Sequence, residues 1–226
     1  MKNPFKKLTR FELILWACSA LVVILSSLFS SEFDILSLLA SLFGVTALIF
    51  LARGYVIGQV LVIIFAVLYA IVSFKQSYYG EMITYLGMTT PMAIFCIVSW
   101  LKNPYKDTGE VKVSRLTRRK ALITVLVTLA VTAVFYFILH ALGNESLIVS
   151  TISVATSFLA AALTFLRSPL YALGYALNDI VLIVLWVIAA LADPGAYSVV
   201  ACFAAFLAND LYGFVSWTKM KKRQDS

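Results

Sequence analysis

The sequence predicts an all-α polytopic membrane protein of eight crossings: one extra helix, then two parallel three-helix repeats joined by a linker helix, written 1 + (3+1+3). Three observations carry this prediction. Hydrophobic residues make up 62% of the 226 positions and charged residues 13%, with a mean hydropathy of +0.96, which is too apolar for a domain that folds in water. Apolar runs near the length needed to cross about 30 Å of hydrocarbon recur along the whole chain. Threading the chain through those runs puts 17 of the 18 Lys and Arg on one side.

The runs cover 11–30, 33–52, 54–74, 81–101, 121–142, 146–166, 169–192 and 196–217. The first follows Lys2, Lys6, Lys7 and Arg10, as the core of a signal peptide would. It nevertheless has the length of a full crossing, lacks an A-x-A cleavage site and opens a polytopic series, so it reads as a retained helix. Glu12, Asp34 and Glu81 lie within a turn of a helix end, whereas Asp179 and Asp210 lie inside. Most connections are short and force sequential helices to be neighbours. The longer 102–120 segment carries Lys102, Lys106, Lys112, Arg115, Arg118, Arg119 and Lys120, and reads as a basic connector, solvated or facing lipid headgroups. With the N-terminus in the cytoplasm, these cations, Arg53, Arg167 and the tail residues Lys219, Lys221, Lys222 and Arg223 are cytoplasmic as well, and Lys75 alone lies outside. The net charge of +7 is therefore topological and argues against a nucleic-acid partner.

The chain also repeats internally. A displacement of 117 positions brings Val98-Ser99-Trp100 onto Val215-Ser216-Trp217 and Tyr69 onto Trp186, and one of 114 brings Leu51-Ala52-Arg53 onto Phe165-Leu166-Arg167. The division that follows is an extra N-terminal helix (1–32), repeat I (33–101), a cytoplasmic loop and linker helix (102–145), repeat II (146–218) and a basic cytoplasmic tail (219–226). Each repeat crosses an odd number of times, so the linker helix is needed to set both the same way up. Parallel repeats of this kind hold a substrate near mid-membrane between the halves.

A carboxylate in hydrocarbon costs at least ~2.5 to 3.5 kcal/mol, so Asp179 and Asp210 should face protein or water and have partners. In the seventh run, Tyr171, Tyr175, Asn178, Asp179 and Trp186 fall within a sector of about 100°. Such a face offers stacking planes and polar groups to a flat, hydrogen-bonding solute, or else packs against neighbouring helices. The eighth run sets Asn209 and Tyr212 at i,i+3 beside Asp210, and Gly213 permits close approach of a helix or a ligand. The first repeat offers Gln59 beside Ala66, Ala70 and Ser73, and a face of Tyr85, Thr89, Met92 and Cys96. Pro91 removes a backbone donor there and should bend the helix, as architecture or as part of a gate. His140 sits at an interface, and Cys18, Cys96 and Cys202 read as small apolar packing residues. Phosphate loops, nucleophile elbows and metal-ligand spacings do not occur, so neither an enzyme, a metal nor a cofactor is expected.

Tyr79-Gly80-Glu81-Met82, Pro91-Met92, Trp100, Asn178-Asp179 and the ending Asn209-Asp210-Leu211-Tyr212-Gly213-Phe214-Val215-Ser216-Trp217 resemble the PnuC-type vitamin transporters from the second crossing onward. The resemblance implies a SWEET-like homotrimeric carrier in the bacterial inner membrane. It would import a nucleoside-like substrate, nicotinamide riboside, by facilitated diffusion, and a cytoplasmic kinase would trap the product. One departure stands out. Where nicotinamide riboside carriers show W-x-x-W, this chain has Tyr171 and Gly174, although N-x-x-Y is intact as Asn209 and Tyr212. Carriage of thiamine, riboflavin or a deoxynucleoside therefore stays open, as does proton coupling through Asp179 or Asp210. A buried Asp179 near Tyr175 and Trp186 would balance a charged ring, which favours a cationic vitamin precursor.

Overall fold

The computed structural model describes residues 5, 8–29, 33–75, 79–144, 146–192 and 194–226. Among them run eight helices long and apolar enough to cross a bilayer: α1 (Arg10–Leu28), α2 (Ile35–Ala52), α3 (Val56–Lys75), α4 (Tyr79–Leu101), α5 (Arg118–Ala141), α6 (Leu147–Phe165), α7 (Tyr171–Ala192) and α8 (Tyr197–Asp225). The expected class, number and order of helices hold. Lys2, Lys6 and Lys7 lie outside the described residues.

Local chemistry sets the helix ends. Thr9 and Glu12 form a reciprocal capping box at the start of α1, with Glu12 Oε2 accepting from the Thr9 amide at 2.6 Å. Asp34 caps α2 by accepting from the amides of Leu36 and Ser37. Burial acts to raise the Asp34 carboxyl, but the hydrogen bonds from Ser37 and Leu36 and the charge of Lys75 outweigh it and hold the group below its ordinary value. Thr117 caps α5 through the Lys120 amide. Where Pro91 was expected to bend α4, the helix widens into a π turn over Tyr85–Thr89. Proline has no N–H to give to the preceding turn, and the Thr90 amide and hydroxyl both donate to the Tyr85 carbonyl instead. The turn keeps Tyr85, Met88 and Thr89 on the buried side.

The halves embrace reciprocally. The helix opening repeat I, α2, packs on the helix closing repeat II, α8, and α6 packs on α4 in the same manner. The Trp217 indole donates to the Leu51 carbonyl at 2.8 Å and Ser216 Oγ to the Ala52 carbonyl at 2.7 Å. In the other half Trp100 donates to Thr164 at 3.1 Å and Ser99 to Phe165 at 3.0 Å. Leu51 thus corresponds to Thr164, not to Phe165, which moves the sequence match by one residue. Its true marker is the left-handed residue ending each opening helix, Gly54 (φ 67°) and Arg167 (φ 59°), and not the shared arginine. Trp100 and Trp217 are almost wholly buried, their rings 5.5 Å apart.

Two expectations about the basic end change. The tail at 219–226 is not a separate segment: α8 continues through it to Asp225. Its Lys, Met, Arg and Gln residues favour helix, and cations suit a helix C-terminus. Nor is the 102–117 stretch simply a solvated connector. It lies as a strap across the bundle end, with Val111 buried, its amide bonded to the Gly54 carbonyl at 2.9 Å, and Ser114 bonded to Arg167 at 2.9 Å. Gln224 of α8 accepts from the Val113 amide and donates to the Val111 carbonyl. The linker α5 lies against α6 and turns Leu122, Leu126, Leu129 and Phe137 outward, as a lipid-facing helix should.

Candidate functional site

Between the halves the side chains form an aromatic box. Phe65 and Tyr69 from α3, Tyr85 from the π turn, Trp186 from α7, and Phe203 and Phe206 from α8 belong to one buried cluster. Tyr69 is its centre: its ring lies 4.5 Å from Tyr85, 6.2 Å from Trp186 and 6.0 Å from Phe203. Edge-on pairs such as Phe65 with Tyr85 at 5.7 Å set neighbouring rings nearly perpendicular to one another.

Towards the basic end the box meets acid. Asp179 of α7 and Asp210 of α8 are both buried and lie within electrostatic reach of one another. Tyr85 lies within electrostatic reach of Asp179, and so do Tyr175 and Cys202. Cys96 and Cys202 pack inside as expected, whereas Cys18 lies on the exposed face of α1.

The ten residues singled out from sequence separate into three groups. Tyr85, Asp179 and Trp186 converge on the box and its acidic floor, and Tyr175 sits beside them, within electrostatic reach of Asp179. Gln59 and Thr89 are buried, and Gln59 Nε2 and Thr89 Oγ1 have no hydrogen-bond partner among the described residues. The remaining four are held by other helices. Asn178 accepts from Thr156 of α6 at 2.9 Å, and Asn209 donates to Ser19 of α1 at 2.7 Å. Tyr212 donates to Glu12 of α1 at 2.8 Å, and Tyr171 stacks edge-on against Trp217 at 4.8 Å. A side chain at Gly174 would start 3.0 Å from the Ala160 backbone, so this position serves the contact of α7 with α6.

Sequence reasoning missed Phe65, Tyr69, Phe203 and Phe206 as a set. The signal was present for Tyr69, because the repeat places it on Trp186. The phenylalanines look like any apolar residue until the helices are packed.

Beneath the site Glu12, fully buried, accepts from Tyr212 and pairs with Arg53 at 3.7 Å. Arg53 reaches Glu110 of the strap at 4.0 Å, and Glu110 also pairs with Arg223 at the end of α8. Burial opposes the Arg53 charge, but the Glu12 carboxylate, with Tyr55 and Glu110, outweighs it and raises the guanidinium above its ordinary value. This chain of charges ties α1, α2, the strap and α8 together.

The sequence profile of the nicotinamide mononucleotide transporter family matches residues 34–219. Curated relatives include the nicotinamide riboside transporter PnuC of Neisseria mucosa, 29% identical over 194 residues and covering 83% of this chain and 73% of that one. The Haemophilus influenzae protein of the same name is 27% identical over 190 residues, covering 83% of this chain and 81% of that one. A solved structure, the crystal structure of the vitamin B3 transporter PnuC, superposes with a TM-score of 0.83 at 26% identity, over 96% of this chain and 94% of that one. With its eight spans, paired halves and enclosed aromatic site, this multi-pass membrane transporter belongs to the nicotinamide mononucleotide transporter family.

Proposed function

We propose that the chain imports nicotinamide riboside into the bacterial cell by facilitated diffusion across the inner membrane. The observation that carries this reading is the aromatic box set above the buried Asp179 and Asp210 carboxyl groups. A nicotinamide ring bearing one positive charge is matched by aromatic faces for stacking and by acidic groups nearby. The acid also argues for the riboside over its phosphorylated form: the described residues lining the box include no Lys or Arg, and a phosphate would face carboxyls. The names of the relatives support the same substrate.

The remaining parts of the reading rest on resemblance and charge. The cations gathered at the strap end support cytoplasmic termini, a homotrimer follows from the family likeness, and a cytoplasmic kinase would trap the imported nucleoside. The test is flux in liposomes. Labelled nicotinamide riboside should equilibrate across the membrane with no ion gradient, while thiamine, riboflavin and neutral deoxynucleosides enter at least tenfold more slowly. Faster entry of any of these three would reassign the substrate.

One observation favours a second reading, proton coupling: two carboxyl groups, Asp179 and Asp210, are buried side by side within the membrane-spanning bundle. Under an imposed pH gradient a coupled carrier accumulates substrate above the equilibrium level, and a uniporter does not.

A further inference from the structure

Glu81 sits in the first turn of α4, at the end opposite the strap, and is 95% buried. Its Oε2 has no hydrogen-bond partner among the described residues. The neighbouring hydroxyl of Thr84 is committed to the Gly80 carbonyl at 2.9 Å. Lys75, the lone cation that the sequence assigns to this end, lies within electrostatic reach of Asp34. A first-turn carboxylate gains something from the helix dipole, yet burial without a cation is costly and marks such a group as waiting for a ligand.

Its direction follows from the helix. Glu81 and Tyr85 are four residues apart, on one face of α4, and both Tyr69 and Tyr85 lie within its electrostatic reach. Tyr85 also feels Asp179 from the other side. The aromatic box is therefore bracketed by acidic groups, Glu81 towards the end opposite the strap and the Asp179–Asp210 pair towards the strap.

We propose that Glu81 is a specificity-determining residue that selects a positively charged aromatic ring as it enters the Tyr69–Tyr85–Trp186 box. It acts as a counter-charge at the mouth, separate from the acidic floor. The proposal rests on the riboside reading above and adds where its charge is first recognised.

The test compares two ligands of nearly the same shape, nicotinamide riboside and its uncharged dihydro form, by calorimetry on the purified protein. Glu81→Gln should weaken binding of the cation about tenfold and change binding of the dihydro form less than twofold. Glu81→Asp, which keeps the charge, should retain most of the cation preference. Equal weakening of both ligands, or no change in either, would overturn the proposal, because a purely structural carboxylate cannot alter the ratio. If Glu81→Gln does not fold, Glu81→Met, which puts no polar group in the buried site, takes its place on the same two ligands: an unchanged cation-to-dihydro ratio overturns the proposal and a lowered one supports it. Binding of neither riboside by the unsubstituted protein would reject the substrate reading as well, whereas binding with an unchanged ratio in Glu81→Gln rejects the role of Glu81 alone.

Discussion

Buried carboxylates occur in two regions of the bundle and are treated in opposite ways. At the strap end, Glu12 and Glu110 are each met by guanidinium groups, and Glu12 also accepts from Tyr212 and from its own helix cap. Around the aromatic box, Asp179 lies beside Asp210, and both Asp179 and Glu81 keep an oxygen without a hydrogen-bond partner among the described residues. The first arrangement is complete and serves stability. The second is incomplete and leaves carboxyl groups beside aromatic planes, which is what a cationic solute needs. Acid in a membrane is thus informative only together with its partners, and counting acids would have treated the two regions alike.

The largest way to test the contrast is at the sealed end. Trp217→Ala removes a buried ring and its bond to Leu51, and should cost about 3 to 5 kcal/mol of stability, read as a lowered melting midpoint in detergent. Next, Asp179→Asn should weaken nicotinamide riboside binding by about thirtyfold, or about 2 kcal/mol, and binding of a neutral nucleoside less than threefold. Equal losses would remove the charge-matching distinction. Glu12→Gln sharpens it from the other side: stability should fall by about 1 to 3 kcal/mol while riboside affinity stays within twofold, because Glu12 serves α1 and the strap. A tenfold loss of affinity there would show that the two regions are one. The smallest effects concern the paired left-handed residues. Gly54→Ala should cost about 1 kcal/mol, since its φ is 67° and Val111 and Met220 crowd the site, whereas Arg167→Gly should stay within about 0.5 kcal/mol of the parent.

The crossings, the gathered cations and the doubling of the halves were legible in the sequence because length, charge and a Ser-Trp pair are local signals. The site was legible in part. Asp179, Trp186 and Tyr85 declared themselves by polarity or aromaticity on one helix face. Asn209 and Tyr212 also looked like ligand residues, yet both turn to α1, and nothing within α8 tells which neighbour will occupy that side. The strap was unreadable for a similar reason: Glu110 and Val111 find Arg53, Arg223 and Gly54 only once distant helix ends are brought together.

The exchanged tryptophans have a bearing on ancestry. Each three-helix unit both offers an indole from its closing helix and presents a carbonyl at the end of its opening helix, so a single unit contains everything needed to clasp a copy of itself. A half-length forerunner that dimerised about an axis along the membrane normal would have made both clasps at once, and fusion through α5 would have preserved them. Having become two distinct halves, the chain was then free to place its acids unequally, which identical partners could not do.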